Sequence, residues 1–433
     1  MPASDIFTSD FKPDPYWWDQ APLAADPPAA LPKTVDVAII GAGYSGLHAA
    51  VQTSRAGLST LVLDAEQAGW GCSTRNGGQI STSIKPSYET LARRYGATLA
   101  QEILKEGQAS LDFVARFVRE EKLDCAFKVV GRFHGAHTPR LYEKLARDCD
   151  RGNPAFDSGA YVVPRSQQHR ELKTAAYHGG VVFPHHASID PGRYHQALLQ
   201  VARTAGAQVL SHCRVTEMTR RDSGFLLTTE RGQLRAGKVI LATNGYTGAL
   251  TPWHRRRVIP IGSYVIATEE IDPALLDELM PTNRILSDTR KLVYYYRPSP
   301  DRKRVLFGGR VSLGETDPQR SGPKLHAELS RLFPELAKVR ISHSWSGLVA
   351  FTFDTLMHSG ADKGLYYAMG YCGSGVGMAS YLGMRMGQQA AGLKQGQTAF
   401  DRLPFQTRPL YHGDPWFLAP SVLVYRVRDR LGI

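Results

Sequence analysis

The stretch from Thr34 to Asp64 constrains this chain more than any other. Thr-Val-Asp-Val-Ala-Ile-Ile at 34–40 is a short apolar run of the kind that forms a buried strand of a parallel sheet. Gly41-Ala42-Gly43-Tyr44-Ser45-Gly46 follows at once, and Leu47 to Ala56 then reads as a helix that Gly57 terminates. In such a unit the first glycine makes the turn, the second lets a pyrophosphate approach the backbone, and the third lets helix and strand touch. Thr60 to Leu63 reads as the next strand, and Asp64 ends it where a carboxylate can accept hydrogen bonds from a ribose diol. With the free N–H groups of the helix start, Gly41, Gly43, Tyr44, Ser45, Gly46, Asp64 and Ala65 make a dinucleotide cradle.

That unit alone does not separate a flavin from a nicotinamide dinucleotide. The residues after it do. Gly71, Ser73, Thr74, Arg75, Asn76, Gly77, Gly78 and Gln79 form a dense turn beyond the acid-ended strand, where backbone can approach a large flat ligand and polar side chains can bond to it. Arg75 is a candidate for the pyrophosphate, with an exposed or ion-paired arginine as the alternative. Thr243, Asn244 and Gly245 end a later buried strand with a polar turn. Gly373, Ser374, Gly375, Val376 and Gly377 open the last long helix, whose positive end would stabilise a reduced flavin. An NAD-dependent dehydrogenase shares only the first unit and should continue with alternating strands and helices, whereas this chain departs after Ile84.

The expected fold class is therefore α/β, with a discontinuous parallel-sheet domain at 34–85, 150–250 and 340–400. A second, antiparallel-sheet domain is expected at 86–149 and 251–339, an N-terminal arm at 1–33 and a C-terminal tail at 401–433. Tyr88 to Lys122 carries apolar residues at helical spacing and predicts one or two surface helices. Strands are predicted around Ser263–Thr268, Leu292–Arg297 and Arg304–Val311, and a helix at Pro323–Phe333. Tyr16-Trp17-Trp18 predicts an arm packed on the body, without regular structure.

Composition narrows the function. The net charge of +12 comes from scattered Lys and Arg, which argues for a solvated basic surface and against nucleic acid as a partner. No apolar run approaches the roughly 20 residues of a membrane span. The start of the chain lacks a basic-then-apolar signal, so a cytoplasmic location is expected. Five cysteines without metal-ligand spacing predict reduced thiols and no metal site. The tail Trp416–Leu431 mixes aromatics and arginines; docking on the body is expected, with peripheral contact to lipid headgroups as the alternative.

Together the glycine signature, Gly71-x-Ser73-x-Arg75-Asn76-Gly77-Gly78-Gln79, Ala242-Thr243-Asn244-Gly245, Phe307-Gly308-Gly309-Arg310 and Gly370-Tyr371-Cys372-Gly373-Ser374-Gly375-Val376 resemble the D-amino-acid-oxidase superfamily, most closely its gamma-glutamylputrescine oxidase-like branch. The resemblance runs from about Tyr16 to the end of the chain. It implies a glutathione-reductase-like FAD domain beside an antiparallel substrate domain, and oxidation of a C–N bond with a small-molecule amine as substrate and O2 or another electron acceptor. By position it places the backbone of Val215 at the adenine and Gly373–Gly377 at the flavin ring. Sarcosine oxidases attach FAD through a cysteine upstream of the last glycine turn; 347–352 contains none, so non-covalent FAD is implied. The arginine that holds an amino acid's carboxylate in related oxidases corresponds to Val349, and the lysine that assists oxygen corresponds to Leu306. A simple amino-acid oxidase or dehydrogenase and a non-catalytic flavin-binding subunit remain as alternatives.

Catalytic candidates come from the second domain. Alternation puts Tyr295 and Arg297 on one face of a strand and Tyr294 and Tyr296 on the other. Tyr264, Tyr295 and Arg310 are the candidates for the pocket, against ordinary sheet packing or a structural ion pair. No spacing selects His134, His137, His185 or His186.

Overall fold

The computed structural model describes residues 6–312, 314 and 316–432, so residues 1–5 of the arm and 433 of the tail lie outside them. Among the described residues there are two large sheets, each with helices packed against it. One sheet has at its centre the parallel strands Gln208–Leu210, Thr60–Leu63, Thr34–Ile40, Gly232–Leu241 and Leu365–Met369. Val37, Ile39 and Val62 point into a core shared with the helices, while Ala38, Ile40, Leu61 and Leu63 point into a second core under an antiparallel extension at 215–229. Burial on both faces is what the unbroken apolar run of the first strand requires.

The helices Tyr44–Arg55 and Gly375–Ala390 cross in tight contact on this sheet. A Cβ on Gly383 would stand 2.4 Å from the carbonyl oxygen of Ser45, and one on Gly387 2.6 Å from that of Ala49. Their glycine contact aligns them in the same sense, so both N-termini point to the same end of the sheet. The helix Ala97–Glu120, expected on the surface of the second domain, instead packs in this core through Ile103, Leu104, Leu111, Val114 and Phe117. Its apolar stripe is wide enough to be buried along its length.

The other large sheet runs Phe7–Lys12, Ile341–Phe351, Ile259–Thr268, Val305–Gly309, Tyr295–Pro298, Ile285–Asp288, Arg132–Gly135, Gly179–Phe183 and Tyr161–Pro164. Most neighbours are antiparallel; the first pair and the pair 285–288 with 132–135 are parallel. Three strands expected with the first domain, at 161–164, 179–183 and 341–351, belong here. The arm also differs from expectation: Phe7–Lys12 is an edge strand, and Trp17–Gln20 is a short helix with Trp17 fully buried. The tail ends in a helix, Leu418–Leu431, that docks through the carboxylate of Asp429, which accepts from the N–H of Lys291 (2.6 Å) and of Leu292 (3.1 Å). No helix among the described residues is long and apolar enough to cross a membrane.

Candidate active site

Four of the segments singled out in the sequence meet at the open end of the parallel sheet. The N–H of Gly41 donates to the carbonyl of Leu63 (2.8 Å), and that of Ala42 to Oδ2 of Asp64 (2.7 Å). Ser73 Oγ accepts from the N–H of Tyr44 (2.9 Å), which ties the second glycine-rich turn to the first. Ser45 and Tyr371 join their hydroxyls at 2.6 Å, and Asn244 Oδ1 accepts from the N–H of Gly370 (2.9 Å). The N–H of Cys213 donates to the carbonyl of Asp64 (2.8 Å), bringing the chain entering Val215 alongside.

This arrangement fits a dinucleotide. Two helix N-termini point to the same end of the sheet, and burial pushes the Asp64 carboxyl up, so a diol donating to it would favour its charged form. At Gly373 and Gly375 an added Cβ would meet nothing within 4 Å, so the last turn presents bare backbone to open space. Gly41–Gly46, Asp64, Asn244 and Gly373–Gly377 would hold FAD here; the structure brings all of them together.

The turn 69–79 is held in a way the sequence did not disclose. Three indole N–H groups grip it: Trp17 donates to the carbonyl of Asn76 (2.9 Å), Trp18 to Thr74 Oγ1 (2.9 Å), and Trp345 to the carbonyl of Arg75 (2.9 Å). Arg75, a candidate for the pyrophosphate, lies between Trp18 and Trp70, each ring 4.8 Å away, and donates to the carbonyls of Trp70 and Ser346. Its contacts are with indoles, since a flat, weakly hydrated cation stacks well there. Asn76 bonds within its own turn, to the carbonyls of Cys72 and Ser73 and the N–H of Gly78. Gln79 reaches the opposite sheet, donating to the carbonyl of Tyr296 (3.1 Å). Buried Arg297 donates to the carbonyls of Gly78 (3.0 Å) and Ile189 (2.9 Å). These side chains build the turn, and its glycines let neighbours press close: a Cβ on Gly77 would stand 3.0 Å from the Tyr295 ring and one on Gly78 2.2 Å from the carbonyl oxygen of Ile189.

The alternation argument separates the candidate tyrosines. Tyr295 faces the cradle: its ring fits a slot between Gly77 and Gly308, and its hydroxyl bonds with Ser263 (2.9 Å). Burial pushes that phenol up to about 12. Tyr264, expected to wall the pocket, lies instead on the far face of the sheet, in the core with Phe307, Leu325 and Leu329, and accepts from the N–H of Thr316 (2.8 Å). Ser263, one residue earlier, takes the inward position. Arg310 is buried and donates to the carbonyl of Gly262 (2.6 Å). Leu306 packs with Trp17 and Trp345 in a small apolar cluster. Tyr295→Phe is expected to cost about 1 kcal/mol of stability through its lost bond, and a fall in turnover well beyond that fraction would assign the hydroxyl to the reaction.

Sequence reasoning also missed His195. Its Nε2 lies 2.7 Å from the carbonyl of Ala42, which can only accept, so this nitrogen carries the proton and braces the first glycine turn from behind. Burial holds its pKa down at about 4, against an ordinary 6.5. As pH falls from 6.5, the unfolded chain takes up a proton that the folded chain refuses until about 4, so stability is lost across that window, on the order of 3 kcal/mol. His195→Gln keeps an N–H donor without the titration, and its unfolding midpoint should fall less between pH 6.5 and 4 than that of the parent.

The DAO family of FAD dependent oxidoreductases matches residues 36–389, and this chain belongs to that family. It is an FAD-dependent oxidoreductase. Among its relatives is the gamma-glutamylputrescine oxidoreductase of Escherichia coli (strain K12), 28% identical over 408 residues, which cover 92% of this chain and 94% of that protein. The probable oxidoreductase OrdL of Rhizobium meliloti (strain 1021) is 28% identical over 429 residues, covering 96% and 97%. Glycine oxidase from Geobacillus kaustophilus shares the fold, with a TM-score of 0.70 at 20% identity over 87% of this chain and 99% of that one.

Proposed function

We propose that this protein oxidises the C–N bond of a primary or secondary amine borne by an acylated polyamine such as a gamma-glutamyl amine. The observation that carries this reading is the end-to-end likeness to the gamma-glutamylputrescine oxidoreductase, to which both halves of the cleft contribute. FAD, when bound, supplies a two-electron acceptor for hydride from the carbon beside the amine nitrogen. The chain's part is to desolvate and orient. Tyr295 stands inward beside Ser263, backed by the buried apolar cluster of Trp17, Trp345 and Leu306. The imine then takes up water and splits into a carbonyl compound and the departing amine or ammonia, and O2 or another acceptor removes the electrons.

Non-covalent attachment belongs to the same proposal. Cys72 Sγ donates to the carbonyl of Leu348 (2.8 Å) and Cys372 Sγ to that of Gly370 (3.0 Å), and burial pushes the Cys372 thiol up to about 11. A protonated, hydrogen-bonded thiol is a poor nucleophile. Acid precipitation of the FAD-loaded protein should leave the flavin in the supernatant; a yellow pellet would contradict this. Product analysis under air tests the reaction itself: an aldehyde should form from gamma-glutamylputrescine, with peroxide appearing only if O2 is the acceptor.

A further inference from the structure

We propose that Arg132 and Lys85 form a subsite for a carboxylate on the substrate, so that the protein selects an amine bearing a carboxylate over a free diamine. The inference rests on the amine reading above and names what that amine must carry. Arg132 projects from the strand Arg132–Gly135 and is held by neutral groups alone: Ser287 Oγ (2.7 Å), Ser83 Oγ (3.2 Å) and His134 Nδ1 (3.1 Å). His134 is itself kept neutral by burial and by the neighbouring cations, so Nδ1 serves as an acceptor for the guanidinium. Among the described residues no carboxylate pairs with Arg132. The nearest acid in sequence to Ser287, Asp288, is committed to Arg290 and Tyr177.

Lys85 repeats the pattern. Its ammonium has no hydrogen-bond or ion-pair partner among the described residues, and lies over the ring of Phe351 at 5.9 Å. Lys85 is open to solvent, with protein groups on several sides of its ammonium. Arg132 is near enough to depress the lysine's pKa. Ser83 links the pair to the cradle: its hydroxyl accepts from Arg132, while its carbonyl accepts from Ser374 Oγ (2.8 Å) at the head of the last helix. A largely enclosed guanidinium with an ammonium nearby and no counter-charge is unfavourable, and an anion within reach of both relieves it. A carboxylate suits both donors, the planar fork of Arg132 and the point charge of Lys85. A diamine with a charge at each end would be repelled. Gamma-glutamyl acylation turns one of those ammoniums into an amide and brings an alpha-carboxylate with its alpha-ammonium, so that end offers an anion to the pair.

The test uses the FAD-loaded full chain, with Lys85→Met, Lys85→Arg and the parent compared. Straight-chain monocarboxylates from acetate to hexanoate are titrated against the oxidised proteins, following the visible flavin band. Steady-state kinetics are then measured with gamma-glutamylputrescine, its alpha-carboxamide and free putrescine. In the parent a carboxylate should shift the flavin band. Lys85→Met should weaken that binding and raise KM for gamma-glutamylputrescine by about tenfold to a hundredfold, the usual effect of losing a charge-assisted hydrogen bond. Its kcat should change little, KM for the carboxamide should not move, and Lys85→Arg should restore most of the loss. Equal KM for carboxylate and carboxamide in the parent, or indifference of both readouts to Lys85→Met, would overturn the subsite. If no amine is turned over the amine reading fails, and the carboxylate titration still decides the subsite: an unshifted flavin band, or the same shift in Lys85→Met, rejects it.

Discussion

Gly46→Ala is expected to yield a protein that has lost most of its FAD and melts several degrees below the parent. A Cβ at this position would stand 1.9 Å from the carbonyl oxygen of Gly41 and 3.2 Å from Cγ2 of Ile39. The first of these neighbours is backbone within the glycine turn, so no rotamer change can relieve the clash. The helix Tyr44–Arg55 must instead lift away from the strand Thr34–Ile40. Overpacking of this kind costs about 1–3 kcal/mol or more, and it acts twice here. It loosens the helix–strand contact, and it moves the helix N-terminus from the phosphate position, which should raise the Kd for FAD by at least about tenfold for each 1.4 kcal/mol. Gly248→Ala is the control, because a Cβ there meets nothing within 4 Å. Absorbance of the dialysed proteins gives flavin content, and thermal unfolding gives the stability change. A Gly46→Ala protein with a full flavin complement would show that helix and strand are not in contact as described.

The second large effect is expected at Trp17, far from any glycine motif. Its indole is fully buried against the nine-stranded sheet, with Leu306 and Trp345, and a Trp→Ala truncation in such a place costs about 3–5 kcal/mol. The same ring donates to the carbonyl of Asn76 and so fixes the turn 69–79. Trp17→Phe separates the two contributions. It retains most of the apolar contact and removes the bond, for about 1 kcal/mol of stability, yet it should speed FAD dissociation beyond what that small loss predicts. If the arm only decorates the surface, both variants will melt with the parent and release FAD at the parental rate.

These two residues mark where the sequence was legible and where it was not. Gly46 was readable because the constraint is local: strand, turn and helix lie within a few residues, and their periodicities change at fixed offsets. The same holds for Asp64, Asn244 and Gly373–Gly377, which the structure gathers at one end of one sheet. Trp17 was unreadable in its role, since its partner lies 59 residues away and nothing local specifies the pairing. Sheet membership failed for the same reason at 161–164, 179–183 and 341–351, where strands of ordinary local pattern take long-range partners in the other sheet. Period-two alternation sorted Tyr295 from Tyr296 correctly but could not say which face of the strand at 259–268 was inward, so Ser263 rather than Tyr264 meets the cleft. Arg132 and Lys85 carried no motif at all. They become noticeable only when the fold shows two neighbouring cations with no acid beside them.

The most direct test of the central claim, an amine-oxidising FAD site, is anaerobic addition of gamma-glutamylputrescine to the FAD-loaded protein while the visible flavin band is recorded. The band should bleach with saturable dependence on the amine and return when O2 or an artificial acceptor is admitted. A band that stays unchanged at saturating amine, in protein whose flavin dithionite still bleaches, would contradict it.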